Sequence, residues 1–149
     1  MRIVIQRVRE ASVTIDGQMV SSIGQGLMIL VGVEQDDTDA ECLHLAAKAV
    51  AMRIFDDENG VMNRSVADVG GEILAVSQFT LLASTRKGNR PSYIRAAGHE
   101  LATRLYQLFL DETSRLLGKP TRAGVFGADM KVALINDGPV TILMDTRQP

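Results

Sequence analysis

Near the C-terminus, Leu134-Ile135-Asn136-Asp137-Gly138-Pro139-Val140-Thr141-Ile142 sets four turn-forming residues between two apolar, β-branched runs. Asn, Asp and Gly tolerate turns and positive φ. Pro139 constrains the chain more. It has no N–H to give to a ladder, so it belongs at a strand start or a strand edge. The plain reading of the segment is a hairpin turn with a proline after it. The second reading starts from the Gly138-Pro139 bond, the peptide best suited in this chain to be cis. Inside a folded protein a cis bond is rare and usually functional.

The remaining pattern predicts an α+β chain, with a mostly antiparallel, barrel-like sheet and two main helices in a single domain over residues 1–149. Met1 to Val8 alternates apolar and polar residues and reads as a half-buried strand. Ala11 to Ile15 runs into Asp16-Gly17 and then Gln18-Met19-Val20, a hairpin signal. Leu27 to Val33 is nearly all apolar, as in a central strand covered on both faces. Asp36 to Asp39 supplies a cap and first-turn acids for a helix whose expected stripe is Ala40, Leu43, Ala47, Val50 and Ile54. A strand over Glu72 to Val76 leads into Ser77-Gln78-Phe79-Thr80. Ala96 to Leu117 carries a second helical stripe through Leu101, Leu105, Leu108, Phe109, Thr113 and Leu116, stopped by Gly118 and Pro120. Arg122 to Gly127, Asp129 to Asn136 and Val140 to Asp145 read as three further strands.

A chain of 149 residues can bury a full core without staples. The single cysteine, Cys42, allows no disulfide within the chain, which suits a reducing compartment. Residues 2–9 do not read as a signal segment, and the apolar run from Leu27 to Val33 is too short to span a bilayer, so a cytoplasmic location without membrane contact is expected. A net charge of −2 argues against a broadly basic nucleic-acid surface, and 4% aromatic residues argue against an extended base-stacking platform. Neither excludes a local basic loop. Arg86-Lys87-Gly88-Asn89-Arg90, followed by Arg95, is such a loop, and its density of cations suits phosphate contacts.

Familiar catalytic arrangements are missing. There is no nucleophile elbow, phosphate loop, dinucleotide fingerprint or metalloprotease helix motif. The two histidines, His44 and His99, both fall in helices. Cys42 and His44 are two apart, so they point to different sides, and no metal or cofactor site is expected. What remains is Ser77-Gln78-Phe79-Thr80. At a strand end, Gln78 is placed to hold an ester carbonyl or a developing oxyanion, and Thr80 to donate a hydrogen bond or act as a nucleophile. A purely structural role for these residues stands beside that reading.

Taken together and in order, Met1 to Val8, Ser77-Gln78-Phe79-Thr80-Leu81, Lys87 to Ser92, Gly124-Val125-Phe126-Gly127-Ala128-Asp129-Met130 and Asn136 to Thr141 closely resemble the D-aminoacyl-tRNA deacylase family. The resemblance implies a homodimeric hydrolase with tRNA as its partner and with active sites at the subunit interface. It would cleave the ester joining a D-amino acid, or glycine mischarged on tRNA(Ala), to the terminal adenosine. It implies that Ser77, Gln78, Phe79 and Thr80 surround the ester. Gly138 and Pro139 would form a cis, cross-subunit chiral filter, with Arg7 and Met130 in the same selective apparatus and Arg86, Lys87 and Arg90 on the tRNA. It favours water attack assisted by the adenosine 2′-hydroxyl over a covalent Thr80 intermediate. Two other readings fit the residues: a tRNA- or protein-binding dimer without catalysis, and a small-molecule ester or amide hydrolase using Thr80.

Overall fold

In the computed structural model, residues 1–148 are described, and the longest pairing joins the two ends of the chain. Strand β1 (Arg2–Ile15) lies antiparallel to β8 (Lys131–Asp145) along almost its whole length. β1 also pairs antiparallel with β2 (Gln18–Ile23) through its C-terminal half and with β3 (Gly26–Gly32) through its N-terminal half. The Asp16-Gly17 turn between β1 and β2 has φ of 50° and 77°, the paired positive values of the turn whose twist matches the strands it joins. The expected break between Val8 and Ala11 is absent, and the strand runs through.

The sheet is mixed. β3 pairs parallel with β6 (Glu72–Ser77), and β6 pairs parallel with the two-residue β7 (Arg122–Ala123). The antiparallel ladders still form the larger share. The parallel β3–β6 pair follows from the long connection between them. It holds helix α1 (Asp39–Ala51) and a small hairpin of β4 (Phe55–Asp56) and β5 (Met62–Arg64), and a parallel pair needs a crossover of that kind. The curled sheet nearly closes: its end strands β2 and β7 meet where Ser21 Oγ donates to the Ala123 carbonyl at 2.8 Å.

β3 is buried on both faces, as its composition predicts. Leu27, Ile29 and Val31 pack with Cys42, Leu45, Ala46 and Ala49 of α1 and Leu105, Tyr106 and Phe109 of helix α2 (His99–Leu117), while Met28 packs on the other side with Val8, Val13, Leu74 and Val76. The helices differ in detail from expectation. α1 buries Cys42, Leu45, Ala46, Ala49 and Val50, so of the expected stripe within the helix only Val50 is inside, and Leu43 is 39% exposed. Two stripes of helical spacing compete in this alanine-rich sequence, and docking on the sheet selects one. α2 buries Leu105, Phe109 and Thr113 as expected, but Tyr106 and Leu110 take the places expected for Leu108 and Leu116.

The C-terminal segment differs most. Asn136-Asp137-Gly138-Pro139 does not reverse the chain. Gln6 faces Thr141, while Val8 faces Asn136 and Glu10 faces Ile135, so β8 continues in one direction and bulges out between its two halves. Two predicted strands and a hairpin are one strand with a kink. The predicted cis bond is also absent: all described peptides are trans. The kink is carried by Gly138 at φ 112°, a region that side chains disfavour, and is closed by Asn136 Oδ1, which accepts from the Val140 N–H at 2.8 Å. Arg122 to Gly127 gives only the short β7.

Two buried carboxylates fasten the outer end of β3. Asp37 accepts from the Met1 amine and from the Glu34 N–H, each at 2.6 Å. Glu34 accepts from Arg95 at 2.7 Å and from Arg147 at 2.5 Å. Burial alone would raise the Glu34 pKa, but the hydrogen bonds and charges of the two arginines outweigh it and hold it below the ordinary value of 4.5. The sign follows directly: a depressed carboxylate stabilises above the unfolded pKa and stops doing so as pH falls through the lower folded value. Thermal melts are therefore expected to weaken on acidification below about pH 4.5, and Glu34→Gln should flatten that limb. Asp37→Asn, which breaks a fully buried pair, should cost about 3 kcal/mol at pH 7, measured by urea unfolding.

Candidate functional site

β6 ends at Ser77 and the chain turns at once into a short 3-10 helix, Phe79–Leu82, instead of continuing extended through Thr80. The turn is held from both ends. The Gln78 N–H donates to the Val31 carbonyl at 2.8 Å, so β3 fixes its start. Arg2 Nη1 donates to the Leu81 carbonyl at 2.6 Å while Nε and Nη2 bond Asp145 at 2.9 and 2.7 Å, so β1 and β8 fix its end. The Phe79 and Thr80 N–H groups open the helix and make no hydrogen bond to the described residues, as the first donors of a helix do.

A cleft of about 340 Å³ opens over this corner. Ser77, Gln78 and Phe79 form one wall. Val31, Val33, Ala97, Ala102, Tyr106 and Phe126 line the cleft as well. Gly127 to Met130 and Val132 close the opposite wall. Thr80 does not line the cleft. It bears on it through Gln78, whose side-chain amide donates to Thr80 Oγ1 at 2.5 Å, fixing where the amide points. Tyr106 is a wall and not an acid: its hydroxyl donates to the Ala75 carbonyl at 2.7 Å, and burial pushes its pKa up to about 12. Asp129 is the one lining carboxylate and it is paired with Lys131 at 3.0 Å. Neither histidine lines the cleft. His44 is exposed on α1, and the His99 ring lies edge-on to Phe126 with centroids 5.3 Å apart. Cys42 is inert, its thiol pushed up to about 12 by burial. The cleft therefore offers amide and hydroxyl donors on apolar walls, with no histidine and only the Lys131-paired Asp129 as a carboxylate.

Of the residues singled out in the sequence, Ser77, Gln78, Phe79 and Met130 meet in this cleft. Tyr106 and Phe126 went unrecognised as site residues, because an aromatic in a helix or a loop carries no chemical signature until the fold aims it. Arg86, Lys87 and Arg90 stand exposed on the loop beside the cleft, whose base is closed by paired backbone hydrogen bonds of 2.8 and 2.9 Å between Ser84 and Ser92. Arg95 is withdrawn from that cationic set by its pairing with Glu34.

Gly138 and Pro139 do not line the cleft of their own chain, and both are exposed. Arg7 holds their loop in shape. Its Nε donates to the Asp137 carbonyl at 2.8 Å, its Nη1 to the Ile54 carbonyl at 2.7 Å, and Asp56 lies 3.7 Å away. A Cβ at Gly138 would overlap the Arg7 guanidinium. The positive φ favours glycine at that position, and any side chain there would also have to move the Arg7 guanidinium.

The fold and the cleft define a class: a small α+β protein whose nearly closed mixed sheet opens a histidine-free cleft beside a cationic loop. A family model described as D-Tyr-tRNA(Tyr) deacylase matches residues 4–145. A D-aminoacyl-tRNA deacylase of Parabacteroides distasonis is 59% identical over 147 residues, covering 99% of this chain and 98% of that protein. Its counterpart in Bacteroides thetaiotaomicron is 61% identical over the same shares. A solved structure described as c-Myc DNA Unwinding Element Binding Protein superposes with a TM-score of 0.93 at 41% identity, covering 98% of this chain and 99% of that one. One of a probable eukaryotic D-amino acid tRNA deacylase shares the fold, with a TM-score of 0.83 at 17% identity over 96% and 97% of the two chains. The chain belongs to the D-Tyr-tRNA(Tyr) deacylase family.

Gly138→Ala is expected to destabilise the chain by about 2 kcal/mol, because the residue is forced into a disfavoured φ and displaces Arg7. The comparison is made by urea unfolding, and an unchanged midpoint would contradict the clamp.

Proposed function

We propose that this protein hydrolyses the ester that joins a D-amino acid to the 3′-terminal adenosine of tRNA, releasing the free amino acid and tRNA. The observation that carries the reading is the cleft itself. Its hydrogen-bonding groups gather at the end of β6, its remaining walls are largely apolar, and an exposed cationic loop stands at its side. Those features suit a small activated ester on a polyanionic carrier.

The chemistry asks little of the side chains. Water adds to the ester carbonyl, and negative charge collects on the carbonyl oxygen. In this reading the N–H groups of Phe79 and Thr80, which have no partner among the described residues, and the Gln78 amide receive it. As the carbon–oxygen bond breaks, the 3′-oxygen leaves and takes up a proton. In this reading the adenosine 2′-hydroxyl relays the water's proton to the departing 3′-oxygen, and no side-chain base takes part. Thr80 then orients Gln78 and forms no covalent intermediate. Thr80→Ala should lose about tenfold in rate, the worth of one positioning hydrogen bond and far less than the loss of a nucleophile.

Selection against L-residues rests on shape. D- and L-residues exchange the α-hydrogen and the side chain, so a rigid main-chain wall beside the α-carbon passes one and blocks the other. The kink at Gly138 and Pro139, clamped by Arg7, is rigid and exposed and lies outside its own cleft. In our reading it enters the cleft of a second copy of the chain, which makes the working unit a homodimer. Such a wall cannot reject glycine, which has hydrogen on both sides, so glycyl-tRNA mischarged on tRNA(Ala) is a substrate too. No helix among the described residues is long and apolar enough to cross a membrane. The expected place of work is the cytoplasm, alongside translation.

Incubation with matched D-tyrosyl-, L-tyrosyl- and glycyl-tRNA tests this directly. Ester loss is expected with the D and glycyl substrates and retention with the L substrate. Equal loss of both enantiomers would refute the filter, and an intact D ester would refute the activity. Charge removal at Arg86 and Lys87 should weaken tRNA binding and lower its salt slope by roughly 1.5, about 0.7–0.9 per phosphate contact.

A further inference from the structure

At the mouth of the cleft two aromatic rings are left in solvent. The chain has only six aromatic residues, four Phe and two Tyr, and no Trp. Phe79 is 57% exposed and Tyr93 is 40% exposed, yet the two rings touch edge-to-face, with centroids 5.1 Å apart and planes at 75°. Hydrophobic burial does not account for them. Their position is specific. Phe79 lines the cleft, and Tyr93 follows directly on the cationic loop, one residue past the Ser84–Ser92 closure. The pair therefore bridges the place where an ester would sit and the place where phosphates would be met.

The segment that carries Tyr93 is held in place. The Tyr93 carbonyl accepts from the Ala96 N–H at 3.0 Å, the Gln35 N–H donates to the Arg95 carbonyl at 3.1 Å, the Gln35 amide donates to the Ile94 carbonyl, and the Arg95 side chain is fastened to buried Glu34. A fixed, solvent-facing ring beside cations is what a single-stranded nucleic acid uses as a seat, because every base has a stacking face whatever its sequence. A low aromatic content rules against an extended platform, but one base needs no more than one such pair.

We propose that Tyr93, backed by Phe79, stacks the nucleobase that precedes the terminal adenosine of the aminoacylated RNA. The cleft would hold the aminoacyl-adenosine, the ring pair the next base, and Arg86, Lys87 and Arg90 the phosphates beyond it. The inference rests on the deacylase reading and adds a subsite to it. Charge decides the occupant. Ile94, 76% exposed beside Tyr93, would suit a protein partner, but the three exposed cations Arg86, Lys87 and Arg90, with no acid between Ser84 and Ala97, favour a polyanion.

The test compares three D-tyrosyl esters of increasing length: adenosine alone, the trinucleotide CCA, and full tRNA. Tyr93→Leu should raise KM about tenfold on the trinucleotide and on tRNA, leave kcat unchanged, and leave the adenosine ester unaffected. Tyr93→Phe, which keeps the ring, should behave as wild type. Equal effects on all three substrates, or none on any, would overturn the subsite. So would a change of oligomeric state on sedimentation, which would assign the ring pair to a second copy of the chain. A second measurement needs no variant. Tyr106 is buried and Trp is absent, so uncharged CCA should quench wild-type tyrosine emission well beyond adenosine at equal concentration, and equal quenching would also count against the proposal. A wild-type protein that leaves all three esters intact would instead remove the deacylase reading beneath it.

Discussion

The pairing of β1 with β8 is the constraint on which the molecule depends. Fourteen residues of one strand meet fifteen of the other in an antiparallel ladder whose register shifts twice, on either side of Val8. Because β1 also pairs with β2 and β3, the two ends of the chain form the spine from which the sheet curls. The larger shift, between Gln6 and Val8, is where the loop of Gly138 and Pro139 stands out. A bulge in a ladder leaves its extra residues without strand partners, and such residues drift unless something else binds them. Here a side chain of the opposing strand, Arg7, binds them, linking the kink to the carbonyl that follows α1. The kink is fixed from below by the ladder and from the side by the guanidinium.

A second set of interactions orients the cleft. Glu34 and Asp37 sit just beyond β3 and gather the Met1 amine, Arg95 and Arg147. Buried charges carry a large desolvation cost and are tolerated when paired and hydrogen-bonded. This cluster is paired throughout, and no buried side-chain nitrogen or oxygen among the described residues lacks a partner. One arginine of the cluster belongs to the segment that leads from the cationic loop to α2. The stem of the loop thus has a fixed relation to Ala97 in the cleft, whose N–H donates to the Val33 carbonyl at 2.9 Å.

The cleft fits the chemistry we assign to it because it lacks what other hydrolases require. A histidine or carboxylate base is needed where the substrate is unreactive. An aminoacyl ester is activated and brings a neighbouring hydroxyl, so orientation and oxyanion hydrogen bonds account for the assistance required. In the proposed filter the same economy applies to selectivity, which rests on backbone shape. A wall of main-chain atoms has no rotamers to yield, whereas a side chain turns aside for a small loss of free energy.

The sequence by itself determined the elements governed by local chemistry. The Asp16-Gly17 turn, the buried β3, the end of α2 at Gly118 and the exposed cationic loop all depend on neighbours in the chain, and each stands where the residues put it. It also held the family resemblance, spread over motifs too weak to carry it singly. Tertiary structure decided whatever depended on a distant partner. Asn136 to Pro139 carries the residues of a hairpin turn, yet β1 offers a partner on both sides of it, and the gain from two ladders keeps the chain going forward with a trans bond and a bulge. The buried face of α1 was chosen among near-equal alanine stripes by the sheet beneath it. Tyr106 and Phe126 became walls of the cleft only when α2 and the segment before β8 converged on β6. Turn propensity acts over four residues, but pairing and packing act over more than a hundred, and where the two conflict the larger buried surface prevails.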